Sequence, residues 1–440
     1  MQAAVPSTLR SRLLLSFLLV FLRLCLLVSS QELTDDQITQ VKARLAEGAK
    51  QSWELGTRAE ALIEYDTPPY SVLNDTSLPP PLSSPPGSLD EVFDIVKSIV
   101  ANRSKSNGNI QGPQPLMQDG AAADPASNGV AVLLANWTGR SSADGLDYAG
   151  AARDQLDFLL TQVPKTSDGA ISHRVSQVQL WSDFVYMVPP FLAYYGVLSD
   201  NQTLVREAYN QIKLYRQYLR DENAGGLWKH VLLGSSGNDE GHWSTGNAWA
   251  AAGMLRVLGT IRHSPFPKNF KNEQKDLRNW VSEITDAMYP HLQSSGLFRN
   301  YADDDSSFED ASSTALLTSA VYRHALLSNV HKHLPDAERS RKALSSPSDS
   351  NNGNSSLAHF DSNMWLTPVV NPHSYGRQGA QSPEGQAFVV EMQAAWRDWV
   401  AAGSVGANSA IRTAGSPSTK TCCTRFLLLL FFPVLRTHLL

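Results

Sequence analysis

The sequence predicts an all-α fold, an (α/α)6 toroid in which an outer ring of helices encloses an inner one. Strand signals are scarce from end to end, and apolar stretches of helical length alternate with amphipathic ones. Joined in chain order, the two kinds pair as antiparallel hairpins, about six in number.

The amphipathic stretches run from Thr34 to Tyr65, Ser88 to Lys105, Leu146 to Val163, Asn201 to Arg220 and Lys271 to Leu292, each with a charged face that belongs in water. Stretches that are apolar on all sides and rich in small residues run from Asp124 to Trp137, Val178 to Val197, Thr245 to Gly259, Ala311 to Leu327 and Glu384 to Ala402. These are expected to be buried all round. The segments Thr67 to Ser88 and Leu344 to Ser356 lack apolar periodicity and read as exposed loops. Hairpin connectivity makes the buried helices parallel, so their N-termini open at one end of the barrel.

Both ends of the chain read as addresses. Residues 1–30 form a signal peptide, with Arg10 and Arg12 ahead of the run Leu13 to Leu22 and small residues at Val28-Ser29-Ser30. The toroid is expected over 31–402, and 403–440 as a linker with a glycosylphosphatidylinositol (GPI) attachment signal. There, small residues (Asn408-Ser409-Ala410 or Ala414-Gly415-Ser416), a polar spacer and the run Phe426 to Leu435 follow in order. This pattern predicts a secreted, extracellular glycoprotein, GPI-anchored at the cell surface or wall. The sequons at Asn74, Asn102, Asn136, Asn201 and Asn354 are then meaningful.

A net charge of −5 offers no basic stripe for nucleic acid and no polybasic run for lipid headgroups. The three cysteines, Cys25, Cys422 and Cys423, sit in the end segments, which leaves the body without disulfides or thiolate metal sites. His173, His230 and His242 are separated by loops rather than by ligand spacing, so no metal or cofactor is expected. The chain is expected to act as a monomer.

Asp183 is the leading catalytic candidate, because it is the sole charge between Val175 and Ser199. A carboxylate in apolar surroundings holds its proton more tightly, which is the state a general acid needs. On a helix it shares a stripe with Met187, Pro190 and Tyr194. The other reading is that Ser182 or Asp183 merely caps the helix. Further unusual clusters stand where buried helices begin: His242 to Trp249, Ser307 to Ser313 and Gln381 to Gln386. Converging N-termini would seat an anion such as a uronate, and Trp181, Tyr186, Trp243, Trp249 and Phe308 would stack on sugar faces. Capping equally explains Ser307 to Asp310 and Ser382 to Glu384, and Trp249 also fits a core role. Asp303-Asp304-Asp305 reads as a solvated loop or as an acid/base pair.

With these residues in view, the chain resembles the six-hairpin glycosidases, specifically the unsaturated rhamnogalacturonyl hydrolases (glycoside hydrolase family 105) and the unsaturated glucuronyl hydrolases (family 88). The resemblance lies in Asp168 to Arg174, Trp181 to Met187, Trp243 to Trp249 and Glu309 to Ser312, and spans roughly Asp154 to Trp399. It implies hydration of the double bond of 4,5-unsaturated uronyl oligosaccharides from cell-wall polysaccharide, with Asp183 protonating the vinyl ether. It further implies substrate contacts from His173, Arg174, Trp181, Tyr186, His242, Trp243, Thr245, Asn247, Trp249 and Glu309. Members acting on rhamnogalacturonan commonly carry arginine where this chain has Thr245. The second acid of the family falls in the poorly matching first third, where Asp144 and Asp147 are guesses. Two other readings use the same fold: a wall mannan hydrolase or transglycosidase with Asp303 to Asp305 as its acids, and a non-catalytic carbohydrate-binding wall protein.

Overall fold

Thr34 opens the first helix with a capping box, its side chain accepting from the Gln37 amide while the Gln37 side chain reaches back to the Thr34 amide. The computed structural model describes residues 31–81, 87–107, 112–348 and 357–407. Residues 1–30, Asn354 and the proposed attachment sites and apolar tail beyond 407 lie outside the described residues.

In chain order the elements are α1 (Asp35–Gly48), α2 (Ser52–Asp66), α3 (Asp90–Asn107), α4 (Gly129–Trp137), α5 (Arg140–Asp144), α6 (Tyr148–Thr161), β1 (Leu180–Trp181), α7 (Phe184–Met187), α8 (Pro189–Leu198) and α9 (Gln202–Leu219). They continue with β2 (Val231–Leu232), α10 (Ser244–His263), α11 (Lys271–Met288), β3 (Phe298–Arg299), β4 (Glu309–Asp310), α12 (Ala311–Ser328), α13 (Leu334–Leu344), β5 (Val369–Asn371), β6 (Ser374–Gly379) and α14 (Pro383–Ala401).

Outer and inner helices alternate as the pattern predicts. In α9 a single face is buried, carried by Leu204, Val205, Ala208, Ile212, Tyr215 and Leu219, whereas α10 is buried at every residue from Ser244 to Ile261. The inner ring runs α2, α4, α7–α8, α10, α12 and α14, and α14 packs back against α2 to close it. Around it lie α1, α3, α6, α9, α11 and α13. Close approach in the inner ring requires small residues: a Cβ on Gly253 of α10 would stand 2.1 Å from the Val185 carbonyl oxygen of α7. Among the described residues, no helix is long and apolar enough to cross a membrane.

Three expectations are corrected. The stretch from Thr34 to Tyr65 is two helices, an outer α1 and an inner α2. The chain breaks between Gly48 and Ser52, and Glu54 bonds the Lys50 and Gln51 amides at 2.7 and 2.8 Å to start α2 afresh. The stretch from Val178 to Val197 is a short strand followed by two helices, because Pro189 has no amide proton with which to continue α7 and instead opens α8. The segment after Thr67 is also no simple exposed loop. Tyr70, Val72, Leu73 and Leu78 are buried in the core, and the Leu78 amide bonds the His263 carbonyl at 2.8 Å.

Among the described residues, strands occur as three two-stranded antiparallel pairs, β1–β2, β3–β4 and β5–β6. The first two join loops that precede inner helices: Trp181 faces Val231 and Phe298 faces Asp310. They hold the start of α7 and α12 in register with neighbouring loops.

Candidate active site

Asp183 sits at the start of α7 with its side chain making no capping bond. The capping alternative therefore does not describe it. Its carboxylate is 14% exposed, with Oδ2 3.6 Å from His230 Nε2 and 3.2 Å from the Ser182 hydroxyl that donates to it. The charge that is alone along the chain thus has polar company in space. The helix expected to carry it as far as Tyr194 is interrupted at Val188, where α7 gives way to α8. Gly246 of α10 passes so close to Ser182 that a Cβ there would lie 2.2 Å from its hydroxyl, which fixes the turn carrying Asp183.

His230 is fully buried and oriented from behind. Its Nδ1 bonds Asp239 Oδ2 at 2.9 Å, and the Tyr301 hydroxyl donates to the same oxygen at 2.6 Å. Burial alone would raise the Asp239 carboxyl, but these two hydrogen bonds outweigh it and hold the pKa below the ordinary value. An ionised Asp239 keeps the proton of His230 on Nδ1, so Nε2 is the nitrogen turned toward Asp183. That nitrogen has no hydrogen-bond partner among the described residues.

Aromatic rings form a cup around this pair. Trp181 stacks on His173 with centroids 4.7 Å apart and planes within 10°, and meets His230 edge-on at 5.4 Å. Trp243 lies 4.4 Å from His230, and Tyr375, delivered by β6, lies 4.5 Å from it. Each indole is pinned: Trp181 Nε1 to Gln179 at 2.9 Å, Trp243 Nε1 to Asn300 at 2.9 Å. Asn300 in turn donates to the Tyr375 carbonyl at 2.7 Å, locking the hairpin over the cup. The Arg174 guanidinium lies 5.8 Å over the Trp181 ring.

Across His173 stands a second acidic group. His173 Nε2 is 3.2 Å from Asp124 Oδ1. Asp119 neighbours Asp124, accepts from the Ser52 hydroxyl and from the Ala121 amide, and its carboxyl is pushed up to about 6 by desolvation and by the charge of Asp124. Sequence reasoning missed Asp119, Asp124, Asp239, Tyr301 and Tyr375. Only the Asp119 to Asp124 segment, two carboxylates ahead of a buried apolar helix, offered a local signal.

Of the predicted site residues, the fold gathers His173, Arg174, Trp181, Asp183 and Trp243, with His242 on the rim between Asp303 at 2.7 Å and Asp221 at 3.5 Å. The rest are elsewhere in role or place. Asn247 is buried and clamps the backbone, bonding the Trp228 amide and the Trp228 and Trp243 carbonyls at 2.9–3.0 Å. Thr245 is buried and bonds Asp310 at 3.3 Å. Glu309 accepts from Ser295 at 2.8 Å on β4. Trp249 is core, packed on Tyr186 and Phe388.

Tyr186 is also core. Its hydroxyl bonds Glu391 at 2.7 Å and Arg256 at 2.8 Å within an ionic cluster that includes Glu60 and Glu64. Capping explains Asp310, which receives the Ser313 amide at 2.8 Å, and Ser382, which receives the Gly385 amide at 3.0 Å. Asp144 bonds Tyr148 and Lys97 and Asp147 caps α6, so neither is the second acid. Phe308 is only partly buried against the core. Asp304 and Asp305 are exposed in a turn, leaving Asp303 alone engaged with a site histidine.

Comparison with known proteins agrees with the helical fold. Residues 89–360, more than half of the chain, match Glycosyl Hydrolase Family 88. The chain belongs to that family. No curated protein matches it. Among solved structures, a possible member of family 105 from Salmonella enterica serovar Paratyphi A superposes with a TM-score of 0.61 at 17% identity, over 83% of this chain and 93% of that one. A family 105 glycoside hydrolase from C. acetobutylicum gives 0.58 at 15%, over 81% and 99%. An unsaturated glucuronyl hydrolase from Bacillus sp. GL1, described as responsible for glycosaminoglycan degradation, gives 0.53 at 12%, over 81% and 94%. At these identities the likeness carries the toroid fold. As a family 88 member the protein is a glycoside hydrolase, and its substrate is an oligosaccharide.

Proposed function

We propose that this family 88 glycosidase hydrates the double bond of 4,5-unsaturated uronyl oligosaccharides. The observation that carries the reading is Asp183 itself: partly open, free of any capping duty and facing His230 inside an aromatic cup. In the proposed reaction Asp183 gives its proton to C4 of the vinyl ether, and positive charge develops on C5 and the ring oxygen. Water adds at C5 and returns a proton to the Asp183 carboxylate. The resulting hemiketal opens to a C5 ketone, and the hemiacetal left at C1 releases the neighbouring sugar. One site thus acts as acid and then base.

Trp181 and Trp243 would flank the unsaturated ring. Arg174, with no carboxylate paired to it among the described residues, would meet the uronate, a role less suited to the buried Thr245. Asp124, held by His173, is the candidate second acid. Incubating the protein with lyase-generated oligosaccharides should bleach the absorbance of the unsaturated uronate. Intact absorbance on every uronide tried would defeat the proposal. Arg174→Ala should raise KM more than it lowers kcat.

We also propose that the mature protein is secreted and GPI-anchored, on the strength of the two end segments. Release from membranes by a phosphatidylinositol-specific phospholipase tests this; a mature chain that retains Phe426 to Leu440 would refute it.

A further inference from the structure

The barrel end opposite Asp183 carries a second concavity, a cleft of about 430 Å³ between α10, α11 and α12. Inner helices α10 and α12 start at the aromatic cup and finish here, and the 18 residues of α12 place the two ends roughly 27 Å apart. Arg262, Lys271, Lys275 and Arg278 line it, together with Ser328 and Asn329. No carboxylate does.

This charge pattern is built into α11. Lys271, Lys275 and Arg278 are spaced by four and three residues, so they form one stripe along the helix, rising roughly 10 Å. Like charges at such spacing work against a helix. The carboxylates of the same helix are all engaged elsewhere: Glu273 with Arg206, Asp276 with Tyr209, Glu283 with Arg216, and Asp286 with Lys332 and His333. Among the described residues no acid pairs with the stripe. Arg262 is held across the cleft wall by its bond to the Leu327 carbonyl, and the buried Ser328 hydroxyl has no partner among the described residues. Four cations thus line one hollow, and the three on α11 have the carboxylates of their own helix turned away, a charge pattern that attracts anions.

We propose that this cleft binds an acidic polysaccharide chain through its carboxylate or sulfate groups, at a site separate from the catalytic cup. A linear row of cations suits a linear polyanion better than a single headgroup, and the volume takes a sugar unit rather than a bare ion. The choice of a saccharide rests on the proposed activity. Polymer held at one end of the barrel would keep the enzyme close to the material whose cut ends enter the other.

The test uses the full chain on immobilised polygalacturonate and heparin, with turnover of an unsaturated disaccharide measured in parallel. The wild type should be retained and should elute with added salt, because screening shortens the reach of exposed charges. Lys271→Glu/Lys275→Glu/Arg278→Glu should weaken retention at least tenfold and leave disaccharide turnover unchanged. The milder Lys271→Gln/Lys275→Gln/Arg278→Gln set guards against a folding defect and should weaken it in the same direction. Equal retention of wild type and both variants would overturn the proposal. So would binding only to phosphatidylserine vesicles, which would make the cleft a lipid site. Loss of retention in the variants alongside a wild type inert on unsaturated disaccharide would uphold the cleft and defeat the catalytic reading alone.

Discussion

His230 Nε2 stands 3.6 Å from Asp183 Oδ2, on an imidazole whose other nitrogen is bound to Asp239 at 2.9 Å. The arrangement is directional: Asp239 and Tyr301 settle which nitrogen carries the proton, and Nε2 is left for the acid and whatever binds beside it. The proposed catalysis at Asp183 would therefore depend on Asp239, acting through His230.

Asp183→Asn keeps the shape and removes the proton. Loss of a positioned general acid costs about 10²–10⁴-fold in rate. Since the side chain caps nothing, the melting temperature should stay near that of the wild type, where loss of a true N-cap would cost about 1 kcal/mol. Thermal melts beside turnover on unsaturated uronides read both quantities.

Asp239→Asn should act through His230. The amide no longer fixes the proton on Nδ1, so Nε2 loses its alignment with Asp183, a displacement of the kind that costs about 10²-fold. kcat is expected to fall with KM little changed; a change confined to KM would argue against an orienting role.

The Asp119 carboxyl, raised to about 6, should appear in the pH–rate profile. Below pH 6 it is neutral, and above pH 6 it places a second negative charge beside Asp124. An inflection of kcat/KM near pH 6 that disappears in Asp119→Asn is the expected result.

Glu384 lies buried at the start of α14, one carboxyl oxygen without a partner among the described residues, and desolvation pushes its pKa up to about 8, with the charges of Glu54 and Asp310 adding to the effect. The unfolded chain releases this proton near 4.5, while the folded chain keeps it until about 8. Stability is therefore lost as pH rises from 4.5 to 8 and changes no further above that. Glu384→Gln should melt at the wild-type temperature at pH 4 and gain roughly 1–4 kcal/mol at pH 8. A variant no more stable than the wild type at pH 8 would show that the carboxyl is not the source of the strain.

The ring of helices was legible because burial leaves a periodic trace: α9 and α10 differ in composition before they differ in place. The turn between α1 and α2 was not, because Gly48 to Gln51 interrupts a helix-favouring sequence too briefly to show. Asp183 stood out as a lone charge, and Trp181 and Trp243 as aromatics beside helix starts. Tyr186 and Trp249 have the same composition and local setting as those tryptophans, and only their facing, into the ionic cluster and the core, separates them. Asp124, Asp239 and Tyr375 come from three distant segments, and each becomes a site residue only when β6 and the loops before α4 and α10 have been brought together.

Closure of the inner ring has a consequence for biosynthesis. Arg397 on α14 bonds the Tyr65 carbonyl at the end of α2 at 2.9 Å, across 332 positions of sequence. The seam between α2 and α14 cannot form until the chain has been synthesised through α14. Until then the Arg256 cluster holds Glu60 and Glu64 of α2 without Glu391, and α2 presents an apolar flank without α14. Such late, long-range pairing is slow and exposes adhesive surface while it waits. The nascent protein should therefore lean on chaperones until α14 arrives, and a nonsense change within α14 should yield an aggregating chain rather than a shortened enzyme.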